Sequence, residues 1–170
     1  MPRAIVAFVR FVDAMNRRIG RLVIYLALLL LGILLYAALS KGFASISPIW
    51  TVEMAQFTLT AYYMLGGAYS LQNGAHVRMD LFYSRWSPRR RALVDSITVI
   101  GLLVYLGVLL FGAIESTAYV METGQRRPSA WQPMLWPIRL IMTLGIFMML
   151  LQALSTLFKD LAVARGKPIA

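Results

Sequence analysis

Residues 22–39, LVIYLALLLLGILLYAAL, carry no charged side chain. A run of this length has no amphipathic face to turn toward water. As a helix rising about 1.5 Å per residue it matches the roughly 30 Å hydrocarbon core of a bilayer, where a helix also satisfies its own backbone hydrogen bonds. Three further stretches meet the same requirement, at 53–71, 92–118 and 136–158. The second is more polar, with Gln56, Thr58, Thr60, Tyr62, Tyr63 and Ser70 inside it, and is expected to face protein over much of its surface. The pattern predicts an all-α membrane protein with four transmembrane helices, forming one domain over residues 1–170. Composition agrees: 14% of residues are charged, against about 25% in soluble domains.

The formal charge is +10, from 17 Lys and Arg against 7 Asp and Glu. Such a balance suits nucleic acid, anionic lipid or membrane topology, and the placement of the charges decides between them. Arg3, Arg10, Arg17, Arg18 and Arg21 precede the first span; Arg78, Arg85, Arg89, Arg90 and Arg91 lie between the second and third; Lys159, Arg165 and Lys167 follow the fourth. The two intervening loops, 41–51 and 116–135, hold only Lys41, Arg126 and Arg127. Basic loops stay in the cytoplasm, so both termini are expected there, and the basic runs read as contacts to lipid phosphate. The apolar run follows 21 residues, too many for the ordinary leading region of a cleaved signal peptide.

Ile5, Phe8, Val9, Val12, Met15 and Ile19 recur at helical spacing, with Arg3, Arg10, Asp13, Arg17 and Arg21 opposite. The expectation is an amphipathic helix over 1–21, lying in the membrane interface before the first span. It either anchors that span or docks on a partner subunit. A short interfacial segment is expected between spans two and three, and Ser87-Pro88 reads as the cap and first turn of the third helix. Trp86, Trp131 and Trp136 fall at expected membrane–water boundaries, as depth anchors.

Little here suggests chemistry. There is no cysteine, and His76 is the single histidine, so a bis-histidine haem site is excluded within the chain and a histidine-held zinc is disfavoured. No phosphate-binding or dinucleotide glycine motif occurs, and Ser70 and Ser84 near His76 form no nucleophile motif. No enzyme activity is expected, and no cofactor. Proton and ion pumps place ionisable groups at mid-depth, whereas Glu53, Glu115 and Arg139 lie about 12 to 15 Å from the span centres at the helical rise. Depth matching lets Arg139 pair with Glu115 or Glu53, as a structural ion pair or as a polar patch for a partner on the periplasmic side. Gly66, Ser70 and Gly74, spaced by four, form a small-residue stripe on which another helix can approach closely.

The stretch GGAYSLQNGAHVRMDLFYSRWSPRRRALVDSI resembles the signature of the small membrane subunit of tripartite ATP-independent periplasmic (TRAP) transporters: a His-x-Arg-x-Asp element, a hydrophobic interfacial segment, then a Ser/Pro-basic helix start with an aspartate just inside. The matching residues are His76, Arg78, Asp80, Leu81, Phe82, Ser87, Pro88, Arg89, Arg91 and Asp95, and the WPIR entry to the last helix also fits. The resemblance implies a non-catalytic subunit joined to a large multi-span subunit that binds sodium and substrate and moves like an elevator. A soluble periplasmic protein would deliver the substrate, typically an organic anion such as a dicarboxylate, 2-oxo acid or sugar acid. A membrane anchor for a redox complex and a stand-alone small transporter are the alternative classes.

If the motif stays helical, His76 faces Asp80 and Arg91 faces Asp95, each at i and i+4. Together with Arg85 and Arg89 these side chains would either fix the turn against lipid headgroups or the large subunit, or serve local folding only. Arg126 and Arg127 are the candidate contacts to the binding protein, through attraction to an acidic surface.

Overall fold

The computed structural model describes residues 3–45, 47–73 and 88–164. Among these, the chain forms four helices: α1 (Arg3–Ala44), α2 (Ile49–Gln72), α3 (Pro88–Thr123) and α4 (Trp136–Ala164). Pro88 opens α3 as expected of a proline in a first turn, where the missing N–H costs nothing. All four helices overrun the spans read from hydropathy. In particular α3 continues to Thr123, so the loop to α4 is shorter than anticipated. Gly124, with φ of +60°, ends α3 in the left-handed conformation that glycine adopts without penalty.

α1, α3 and α4 are each long and apolar enough to cross a membrane, and α2 is not among them. The expected count of four spans is thus met by three helices, and α2, the stretch read as more polar, falls short of it.

The first expectation to fail is the separate interfacial helix at 1–21. α1 is one unbroken helix of 42 residues, about 63 Å long at the helical rise and so roughly twice a bilayer core. The reason lies in its packing. Val9, Val12, Asn16, Gly20 and Val23 are all buried, continuing one stripe at three- and four-residue spacing straight through the supposed boundary. Gly20 introduces no break because it is held in place: the Tyr69 ring of α2 fills the space where a Cβ would stand. The stripe faces α2 and α4 rather than a membrane surface.

The topology follows from a few contacts. α1 and α2 run antiparallel, with Tyr36 stacked on Trp50 at one end (5.7 Å between ring centroids) and Gln72 bonded to the Asp13 carbonyl at the other. α4 lies beside α2 in the same direction. A Cβ on Gly145 would come within 2.7 Å of the Met64 carbonyl oxygen, so these two backbones approach as only glycine allows. The far end of α4 meets the start of α1, Phe158 edge-on to Phe8. α3 packs on α4 about Leu106, Ile146 and Ala153. The helices thus stand in the order α1, α2, α4, α3, with α1 also touching α4.

Polarity is inverted relative to a soluble protein. Leu28, Leu31, Leu35 and Leu39 point outward, while Asn16, Gln152 and Ser155 are fully buried. Such an arrangement gains nothing from water exclusion and is favourable only where the surroundings are hydrocarbon.

Candidate functional site

The motif segment falls between the end of α2 and the start of α3. His76, Arg78, Asp80, Arg85, Gly74 and Trp86 lie outside the described residues. Arg89, Arg91 and Asp95 belong to the first turns of α3, but their side chains lie outside the description as well.

Immediately before that segment stands a polar knot joining three helices. Asp13 of α1 accepts from Gln152 Nε2 (3.1 Å) and Ser155 Oγ (3.4 Å) through one carboxylate oxygen, and pairs with Lys159 Nζ at 2.5 Å through the other. One turn along α1, Asn16 Nδ2 donates to Gln152 Oε1 at 2.6 Å. Gln72, the last residue of α2, donates from Nε2 to the Asp13 carbonyl at 3.1 Å. Buried polar groups are costly when unpaired, so these bonds hold α1, α2 and α4 in one register where the chain enters the motif segment. Among the described residues, Asn16 Oδ1 and Gln72 Oε1 find no donor within the knot.

Sequence reading missed this knot, because Asp13 counted only as part of a solvated face. The available signal was Gln152, Ser155 and Lys159, a polar ridge at i, i+3 and i+7 on an otherwise apolar helix.

At the opposite end, the expected pairing of Arg139 is not formed. Lys159 pairs with Asp13, whereas Arg139 is within 4 Å of neither Glu53 nor Glu115. Glu115 points outward from α3, whereas Glu53 is buried with its Oε2 partnerless. Equal depth did not bring the groups together, since they occupy different helix faces. Hydroxyls do the work instead: Thr117 of α3 and Thr143 of α4 share a 2.8 Å hydrogen bond, and Thr143 Oγ1 donates to the Arg139 carbonyl at 3.0 Å.

Arg126 is exposed and Arg127 half-buried on a small folded loop between α3 and α4. Arg126 bridges Met134 in antiparallel fashion, Arg127 N–H donates to the Pro133 carbonyl, and Leu135 N–H to that of Gln125. The loop sets Trp131 and Met134 beside Trp136 and Phe57, at the mouth of an apolar groove of about 540 Å³.

The small-residue stripe divides in two. Gly66 faces α1, with Val23 Cγ1 3.4 Å from where its Cβ would be. Ser70 lines an open hollow of about 460 Å³ with Gly20, Gly66, Gly67 and Tyr63. The closest approaches occur at Gly20, Gly67 and Gly145, none of which belongs to that stripe.

Among the described residues no three His, Asp or Glu side chains gather to hold a metal ion. The arrangement is built for helix association: two polar ties, glycine-mediated backbone contact, and apolar outer surfaces. Residues 30–163 fit the family model described as tripartite ATP-independent periplasmic transporters, DctQ component. No curated protein and no solved structure matches the chain.

Proposed function

The chain belongs to the DctQ family of TRAP transporters, and from that premise we propose that it is the small scaffold subunit of a sodium-coupled importer of organic acids. DctQ proteins are transporter components rather than enzymes, and they work with a large TRAP membrane subunit and a periplasmic binding protein. The match over 30–163 supports this reading, because it takes in α2, α3, nearly all of α4 and the later part of the apolar run of α1.

In the proposed assembly this multi-pass inner-membrane protein crosses four times, with both termini cytoplasmic. α2 spans despite its polarity because α1 and α4 cover two of its sides. The large subunit binds sodium and the carboxylate substrate and makes the elevator movement. The present chain, acting as a single unit, keeps the static part of the transporter in place. The Asp13 knot suits that task, since it ties three helices at one level and resists sliding of one past another. His76, Arg78 and Asp80 then fix the following turn against lipid headgroups or the large subunit, and Arg126 and Arg127 attract the binding protein.

The test is reconstitution. Liposomes holding both membrane subunits should take up a carboxylate when given a sodium gradient and the binding protein. Uptake by this chain alone would overturn the scaffold assignment.

A further inference from the structure

α2 turns one face away from the rest of the chain, and that face does not suit lipid. Val52, Gln56, Leu59, Tyr63 and Ser70 follow one another at helical spacing along it. Gln56 is exposed and Tyr63 is 63% exposed, and neither polar group has a hydrogen-bond partner among the described residues.

Depth sharpens the point. Trp50 stacks on Tyr36 and Gly66 abuts Val23, so Gln56, between them on α2, stands level with the uncharged leucine run of α1 near Leu31. A carboxamide at that level meets hydrocarbon unless protein covers it, and lipid tails offer no hydrogen bond. The outward faces of α1 and α3 show the contrast: they present leucines, isoleucines, valines and occasional tyrosines such as Tyr25 and Tyr105, but no carboxamide within 22–39 or 97–118. Below Gln56 the same face opens into the hollow between α1 and α2, lined by Ile24, Tyr63, Gly66, Tyr69 and Ser70, which has room for a side chain from a neighbouring helix.

We propose that this face of α2, with Gln56 above the glycine-lined hollow, receives a membrane helix of the large transport subunit. That helix supplies a hydrogen-bonding group to Gln56 and a large apolar side chain to the hollow. The inference rests on the reading of the chain as the small TRAP subunit and adds to it the surface used.

A photo-crosslinking phenylalanine analogue, placed in turn at Gln56, Tyr63 and Ser70, tests it in membranes holding both subunits. Val104 and Val108, on the outward face of α3, serve as controls. The α2 positions should give adducts with the large subunit at least tenfold above the α3 positions. Ser70→Trp, which fills the hollow, should lower the co-purified large subunit at least fivefold with no loss of helical content. Should wild-type chain fail to co-purify with the large subunit, the functional reading falls and takes this inference with it. Should it co-purify while the α2 positions yield only lipid adducts or copies of this chain, the surface alone is wrong.

Discussion

Asn16 and Gln152, 136 positions apart in the chain, share a hydrogen bond of 2.6 Å at a place where both side chains are almost wholly out of contact with the surroundings. It joins α1 to α4 beside the Asp13–Lys159 pair, and makes the N-terminal segment part of the bundle.

The Asn16–Gln152 bond should show itself in a double-mutant cycle. Asn16→Leu leaves the Gln152 acceptor buried without its donor, at a cost of about 1 to 2 kcal/mol. Replacing both residues by leucine should recover part of that loss, because neither half of the bond is left unpaired, although Asp13 also loses its Gln152 donor. Unfolding in mild detergent, followed by circular dichroism, measures it. Strictly additive losses would mean that the two side chains do not interact.

Glycine 145 should tolerate no side chain. Gly145→Ala sets a methyl group against the Met64 carbonyl oxygen, and since backbone cannot swing aside as a side chain does, a loss of about 1 to 3 kcal/mol is expected. Gly101→Ala on α3 meets open space, and should be neutral or stabilising by up to about 1 kcal/mol through helix propensity. Thermal melting of the two variants side by side makes the comparison, and equal melting temperatures would refute it.

Glu53 and Arg139 should be energetically independent in the isolated chain. No ion pair joins them, so the coupling from Glu53→Gln, Arg139→Gln and the double variant should stay below about 0.5 kcal/mol. Glu53→Gln alone removes a buried carboxylate that has a partnerless oxygen, and should leave stability unchanged or raised. A coupling above 1 kcal/mol would restore the pair expected from depth.

Topology is testable because the chain has no cysteine of its own. A single cysteine replacing Ser129 in the α3–α4 loop should react with a membrane-impermeant maleimide added to cells with a permeabilised outer membrane. One replacing the exposed Ala7 should react only after the inner membrane is opened. The reverse pattern would invert the proposed orientation.

Membrane residence, the places where helices form and the distinct character of α2 were all written in local sequence. Each depends on the length and polarity of a contiguous stretch, which a helix keeps whatever surrounds it. The family was legible for a similar reason, since the His76 to Asp95 pattern is a run of near neighbours. Tertiary structure decided which faces meet. It turned Asp13 from a presumed surface charge into the centre of a three-helix tie, extended the N-terminal segment into α1, and kept Arg139 apart from both glutamates. Those outcomes depend on the rotation and relative height of helices far apart in the chain, set by packing at Gly20, Gly67 and Gly145, and side chains 136 or more positions apart carry no mark in sequence of being neighbours.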